Sequence, residues 1–346
     1  MTVTSSALLT PTSVVVATRN RSLHIAGTIK AVLQTRNAPP EIIVVDQSDP
    51  APAAILRETL ASIASQYGVT LSVEDESQPA AQPGRLRYVA CNGRGASLGR
   101  NIGARFARHN IVLFVDDDIL PDPGWTDAMT AEYARDENVV GVYGRILPYD
   151  PKASSADDIN RTGAEVTRAG MKRKCYTRPA LPWYLGSGGN MSFRRDALLA
   201  CGGFDEVLTI GGPFRAFEDI DIGYRLLSRG LGNVVYCPQS LVYHDSVKTF
   251  EEQVRTESGY GISVGAAAMK YARCGDPFAP RIFLAWLWHM AVRRSVAGVI
   301  KWRNRSVVRL ALLQFWYPWV GIARAWRWPL DTKSWIYLPL ARSLGK

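Results

Sequence analysis

The sequence has few cysteines and no pattern among them. Cys91, Cys175, Cys201, Cys237 and Cys274 are odd in number, widely scattered and without a C-x-x-C pair. That argues against a disulfide framework or a zinc site and fits a reducing cytosol. A long hydrophobic run is also missing. The charge-free stretch from Leu310 to Ala323 has fourteen residues and contains Pro318, whereas a bilayer span takes about 20 apolar residues. The opening MTVTSSALLTPTS has neither an early basic residue nor the apolar run of a secretion signal, so no signal peptide is expected. The first β-α turn, ATRNRSLHIAG, lacks closely spaced glycines, which counts against a dinucleotide-binding dehydrogenase. There is no internal repeat.

What is present is a chain of 346 residues, 47% of them hydrophobic, enough to bury a sizeable core. Its formal charge of +10 is unevenly placed, because from residue 278 onward twelve Lys and Arg face a single acid, Asp331. Subtracting that stretch leaves the other 277 residues at −1. The same stretch holds eight of the ten tryptophans: Trp286, Trp288, Trp302, Trp316, Trp319, Trp326, Trp328 and Trp335. Basic residues mixed with indole rings describe a membrane-interface surface, so contact with the cytoplasmic face of a membrane is expected and a nucleic-acid partner is not. Part of the stretch equally reads as packing on the core, since tryptophans are ordinary core residues.

The apolar β-branched runs SVVVAT (Ser13 to Thr18) and EIIVVD (Glu41 to Asp46) read as buried parallel strands. Between them Ser22 to Leu33 has helical spacing with Ser22 as a cap, which makes a β-α-β unit and argues for an open sheet binding ligands beyond its strand C-termini. A helix over Ala53 to Tyr67, a weak strand near Thr70 to Val73, a strand at Leu86 to Val89 and a helix over Ala96 to His109 follow. Ile111 to Val115 is a fully apolar strand running into Asp116, Asp117 and Asp118. After a turn come a helix over Trp125 to Arg135, a strand over Val139 to Gly144 and a polar surface excursion over 148 to 182. Gly186 to Glu206 reads as strand, helix and turn, and Ala216 to Gly230 as a loop opening a helix that Gly230 closes.

Asp116 and Asp118 are spaced by two at the end of a strand, so an extended backbone points both carboxylates to one side. Two hard oxygen ligands suit Mg²⁺ or Mn²⁺, and a cation there stabilises the charge that develops on a departing diphosphate. The alternative is an acidic turn after a strand.

Taken in order, ATRNR, VVD, NGRGASLGRNIGA, FVDDD, GSGGNMSFRR with GGFDE, FEDIDIGYRL and VYHD resemble the family 2 glycosyltransferases from about residue 12 to 250. The resemblance implies a GT-A fold, a Rossmann-like open mixed sheet flanked by helices, here followed by a helical C-terminal extension. It also implies a nucleoside diphosphate sugar donor, a divalent metal and inversion at the anomeric carbon. By family position Thr18, Arg19, Asp46, Arg100, Asn101, Asp116 and Asp117 contact the nucleotide sugar, while Asp116, Asp118 and His244 hold the metal. Asp219 takes the place of the catalytic base, with Glu218 as second candidate. Trp183, Gly188, Gly189 and Asn190 suggest a floor for donor sugar and acceptor, glycines allowing close approach and aromatic faces suiting sugar rings.

Each residue has a plainer reading. Asp46 can cap the next helix, Arg100 can be solvated, Glu218 and Asp219 can stabilise a helix N-terminus, as Asp221 is read to do, and His244 and Trp183 can be structural. The family often has a second acid after Asp46, where this chain has Gln47. Gly211-Gly212-Pro213 reads as a loop hinge or an ordinary turn. The expected organisation is a donor-binding half over 1–130, an acceptor-binding half over 131–250 and a basic, Trp-rich helical extension over 251–346. The acceptor is expected to be a saccharide or lipid-linked glycan. The alternatives are a nucleotidyltransferase, which leaves Glu218-Asp219 and His244 unexplained, and a catalytically degenerate, membrane-associated carbohydrate-binding protein.

Overall fold

The computed structural model describes residues 10–77, 80, 82–148, 170–244, 250–301 and 303–340. Trp302, Asp245 and residues 149–169 of the expected surface excursion lie outside them. In chain order the elements are β1 (Thr12–Thr18), α1 (Ile25–Leu33), β2 (Glu41–Asp46), α2 (Pro50–Tyr67), β3 (Leu71–Asp75), β4 (Leu86–Ala90), α3 (Ala96–Phe106) and β5 (Ile111–Val115). β6 (Ile119–Pro121), α4 (Trp125–Arg135), β7 (Val139–Leu147), β8 (Lys174–Tyr176), β9 (Asn190–Arg194), α5 (Arg195–Ala200), α6 (Glu218–Ser228) and β10 (Asn233–His244) complete the sheet region. The extension comprises α7 (Phe250–Arg273), α8 (Ala279–Trp286), a π-helical stretch Leu287–Arg293, α9 (Arg294–Ile300), α10 (Arg305–Ala325) and the small pair β11 (Leu330–Asp331) and β12 (Ile336–Tyr337).

The central sheet runs β3-β4-β2-β1-β5-β9-β7-β10-β6, with β8 also paired to β10. Its first five strands are mutually parallel, as the continuous apolar runs imply, and β9 enters antiparallel between β5 and β7. Alternate residues feed opposite faces. Val14, Val16, Ile42, Val44, Ile111 and Leu113 join the cluster under α1, α2 and α4. Val15, Ile43, Val45, Val112 and Phe114 join a second cluster that takes in Ile262, Tyr271, Ile282, Trp286 and Tyr337 of the extension. Each such side chain fully withdrawn from water contributes about 1.5–3 kcal/mol. The extension is therefore one wall of the core.

Three expectations change. Ser22 caps nothing, since α1 starts after His24, which makes no side-chain cap bond. The surface excursion contains β8, held antiparallel on β10. Asp116 to Ile119 is a turn closed by the Ile119 N–H on the Asp116 carbonyl, so the alternation of an extended strand does not set where Asp116 and Asp118 point.

Candidate functional site

Strand register assembles the site. Val115 pairs with Asn190, which brings the Gly186–Gly189 segment beside Asp116, and Ile119 pairs with His244, which sets the imidazole beside Asp118. Both junctions lie at the C-terminal end of β5, where open α/β sheets bind ligands.

The three aspartates then diverge. Asp117 is buried and accepts from the Thr18 hydroxyl at 2.6 Å and the Arg21 guanidinium at 2.7 Å. Asp118 accepts from the other Arg21 nitrogen at 2.8 Å and lies 3.4 Å from His244 Nε2. Burial works against its charge, but His244 and Arg21 hold the Asp118 carboxyl well below the usual carboxylate range. Asp116 is the most open, 41% exposed, and receives Arg100 at 2.8 Å. Arg100 is buried in the second turn of α3 and donates its other nitrogen to Glu218 at 3.0 Å, so one guanidinium spans the aspartate turn and the start of α6. Burial opposes the charge on Arg100, yet Asp116, Glu218 and Asp219 together outweigh it.

The start of α6 separates its two acids. Glu218 is 3% exposed and faces Arg100; burial pushes its carboxyl up, Arg100 opposes that and Asp219 adds to it. Asp219 is half-buried, with Oδ2 accepting the Gly188 N–H at 2.6 Å and Oδ1 the Ile220 N–H at 2.9 Å. A Cβ on residue 188 would stand 2.7 Å from the Asp219 Cβ and 3.3 Å from Arg100 Nη2, so only glycine lets the loop come this close. The Tyr143 hydroxyl donates to the Asp219 carbonyl at 2.5 Å and fixes the turn from behind. Phe217, just before α6, is buried at φ 91°, and Arg215 sits at φ 74°. Such left-handed backbone in non-glycine residues costs about 1–3 kcal/mol and is typical of functional loops.

Asp46, Asn101 and Asn190 are engaged by protein partners. Asp46 is buried with Oδ1 on the Ser48 N–H and Oδ2 on the Tyr88 hydroxyl, and Asp49 rather than Asp46 precedes α2. Asn101 clamps the Gly203–Glu206 turn, exchanging bonds with Phe204 and donating to Glu206. Asn190 is fully buried; its carbonyl accepts the Trp125 indole and its amide donates to the Arg145 and Ser240 carbonyls. Both amides are spent on protein partners. Trp183 stacks edge-on against Trp286 with ring centroids 5.2 Å apart, Gly189 sits 3.4 Å (by its would-be Cβ) from Asp116, and Arg19 is exposed. Arg21 was missed; its signal was the second arginine of ATRNR, three residues after Thr18 and thus on the same strand-end loop.

Asp118 and His244 offer adjacent oxygen and nitrogen donors, and Asp116 is open to solvent. Among the described residues no three His, Cys, Asp or Glu side chains converge into a cage. That donor set fits Mg²⁺ or Mn²⁺ of the kind bound through one or two protein groups with substrate phosphates and water.

The model of the glycosyl transferase family 2 matches residues 13–201, more than half of the chain. The chain belongs to that family. This family 2 chain is 25% identical over 279 residues to the hyaluronan synthase of Pasteurella multocida, covering 73% of the chain and 26% of that protein. It is 27% identical over 203 residues to the pre-mycofactocin glycosyltransferase of Mycobacterium tuberculosis, covering 56% of the chain and 40% of that protein. It thus spans a quarter to two fifths of the length of these curated relatives. Among solved structures it resembles the mannosyltransferase PcManGT from Pyrobaculum calidifontis in complex with GDP-Man and Mn²⁺, at TM-score 0.55 and 15% identity, over 91% of this chain and 87% of that one. That likeness bears on the fold, which is GT-A with a helical C-terminal region.

Proposed function

We propose that this chain transfers a sugar from a nucleoside diphosphate sugar to a saccharide or lipid-linked glycan by single displacement with inversion. The observation that carries the reading is the convergence of Asp116, Asp118, Arg100 and Asp219 on one strand-end site, with the Gly188 N–H on the Asp219 carboxylate. In this reading residues 1–130 serve the donor, 131–250 the acceptor, and 251–346 form an extension that meets the cytoplasmic face of a membrane.

Asp219 is the base. Its two backbone hydrogen bonds fix the carboxylate while its partial exposure leaves it open to an acceptor hydroxyl. As the acceptor oxygen bonds to the anomeric carbon, the bond from that carbon to the diphosphate breaks, and the hydroxyl proton passes to Asp219. Glu218, being enclosed, positions Arg100 rather than taking the proton. Five carboxyl groups (Asp116, Asp117, Asp118, Glu218 and Asp219) surround only two guanidinium groups, so an incoming diphosphate requires more positive charge. Mg²⁺ or Mn²⁺ held at Asp118 and His244, with Asp116 beside them, would supply it and stabilise the leaving group. The solved mannosyltransferase, bound to GDP-Man and Mn²⁺, supports the same assignment of donor class and metal.

Release of nucleoside diphosphate from a panel of donor sugars, with and without Mg²⁺ or Mn²⁺, tests the reading. Metal-dependent release from one donor is expected. Formation of nucleoside triphosphate and sugar 1-phosphate from the same donors when pyrophosphate is added would instead assign nucleotidyl transfer, and no turnover of any donor would leave a binding protein.

A further inference from the structure

From α8 to α10 the extension carries apolar side chains on two faces, and the core needs only one. In α10 the buried positions are Val307, Leu310, Ala311, Gln314, Pro318, Gly321 and Ala325, one continuous helical stripe. That stripe packs on α7 with no room to spare: a Cβ at Gly265 would meet the Pro318 carbonyl oxygen at 1.9 Å, and one at Gly321 the Ile262 carbonyl oxygen at 2.0 Å. Gln314 locks the contact further, accepting from the Trp286 indole at 3.0 Å and donating to the Glu257 carbonyl at 2.7 Å.

The opposite face of α10 should be polar in a water-bathed helix. Instead it presents Leu312, Phe315, Trp316 and Trp319, exposed by 54%, 42%, 67% and 46%. Along the preceding segment Leu284, Trp288, Val292, Val296 and Ile300 are all exposed at every fourth residue. A four-residue step over-rotates an α-helix and under-rotates a π-helix, so the π stretch Leu287–Arg293 keeps this second stripe straight. Phe283 meets Trp319 with ring centroids 4.8 Å apart, which joins the two stripes into one surface. Contiguous apolar surface of this kind marks an interaction site.

Charge selects the occupant. No Asp or Glu occurs from residue 278 to 330, while Arg281, Arg293, Lys301, Arg303, Arg305 and Arg309 are exposed around the stripes. A protein partner would need an acidic rim around an apolar centre, whereas an anionic bilayer offers both over any area. No helix among the described residues is long and apolar enough to cross a membrane. We infer that the joined stripes of the 279–319 segment are a docking face for an anionic lipid bilayer, lying flat in its interface with Trp288, Trp316 and Trp319 as anchors. Trp286, expected from sequence to enter the lipid, belongs to the opposite side, 6% exposed against Trp183 and Gln314. The rigid mounting fixes the site relative to the lipid. Trp183 rests on the inner side of the helix whose outer side docks, about one helix diameter, 10–12 Å, from the surface. It precedes Gly188 by five residues, so at most about 18 Å of extended chain separates it from the residue that holds Asp219. This deepens the membrane contact proposed above and stands apart from the transfer reaction.

The test is co-sedimentation of the full chain with vesicles of phosphatidylcholine alone, or with about a third phosphatidylglycerol, which gives the anionic surface. Binding to the anionic vesicles with a blue-shifted tryptophan emission, weakened by salt, is expected. Trp288→Ser with Trp316→Ser should lower partitioning about tenfold or more with an unchanged thermal melt, since both rings are exposed. Arg293→Gln and Arg305→Gln should each lower it about fivefold on the anionic vesicles only. Unchanged partitioning in the tryptophan variant would overturn the inference. So would absence of vesicle binding together with a self-association that the same substitutions abolish, which would give the face to a second copy of the chain. Nucleoside diphosphate release from the same preparations reports on the transfer reading separately, so failure of one does not register as failure of the other.

Discussion

Arg100→Ala probes the joint between the aspartate turn and α6. The Arg100 guanidinium is 7% exposed and makes two charge-assisted bonds, at 2.8 Å to Asp116 and 3.0 Å to Glu218. Its loss has unequal consequences for the two acids. Asp116 is 41% exposed and regains water, whereas Glu218, 3% exposed, keeps its burial and loses its counter-charge. Truncating one partner of a buried pair costs about 3–5 kcal/mol while the other remains charged. Glu218 escapes by taking a proton. Its folded pKa is already raised by burial against the opposition of Arg100, so removal of Arg100 raises it further. A carboxyl whose folded pKa lies above its unfolded value contributes stability below the unfolded value and loses it as pH rises through the folded one. The variant's deficit should therefore be largest at pH values above the variant's own folded value for Glu218 and shrink on acidification, by about 1.4 kcal/mol for each pH unit between the two folded values. Thermal melts of both proteins across that range measure it. Adding Glu218→Gln to Arg100→Ala removes the unpaired charge and should recover most of the loss. A deficit indifferent to pH and to Glu218→Gln would refute the assignment of Glu218 as the enclosed partner.

Asp118→Ala should lower metal-dependent turnover by about 10²–10³ and flatten its dependence on Mg²⁺ or Mn²⁺, as a metal titration of nucleoside diphosphate release would show. Because His244 and Arg21 lower the Asp118 pKa, its stabilising contribution is present above the unfolded carboxylate value and lost as pH falls through the folded one; acid unfolding of Asp118→Ala should lack that component. Asp219→Asn should keep donor binding, read by calorimetry, and lose about 10²–10⁴ in transfer, whereas normal transfer with Asp219→Asn and none with Glu218→Gln would exchange their roles. Lys270 is fully buried between Asp205 at 2.8 Å and Asp221 at 2.7 Å, so Lys270→Met should cost about 3–5 kcal/mol in denaturant unfolding; a loss under about 1 kcal/mol would mean that Arg225 alone compensates both carboxylates.

The sequence by itself determined the strand-helix alternation, the exact extent of β2, β5 and α4, and the ordered motifs that mark the family. These are local or near-local signals: runs of β-branched residues buried on both faces, helical spacing, and acids placed just beyond strand ends. Residue roles were less legible, because burial and partner depend on elements far apart in the chain. Glu218 and Asp219 are neighbours of like chemistry, and only the approach of Arg100 and of the Gly188 N–H separates an enclosed partner from an open carboxylate. Asn101 and Asn190 sit within family motifs, yet their amides close backbone gaps that exist only once turn and sheet are folded. The extension shows the same division. Composition announced basic residues and tryptophans together, but which indoles face inward is set by the packing of α10 on α7, where glycines at 265 and 321 bring the backbones into contact and turn Trp316 and Trp319 outward while Trp286 is enclosed. Pattern along the chain reports what a segment can bury; only the tertiary structure supplies the second surface that decides which face is buried.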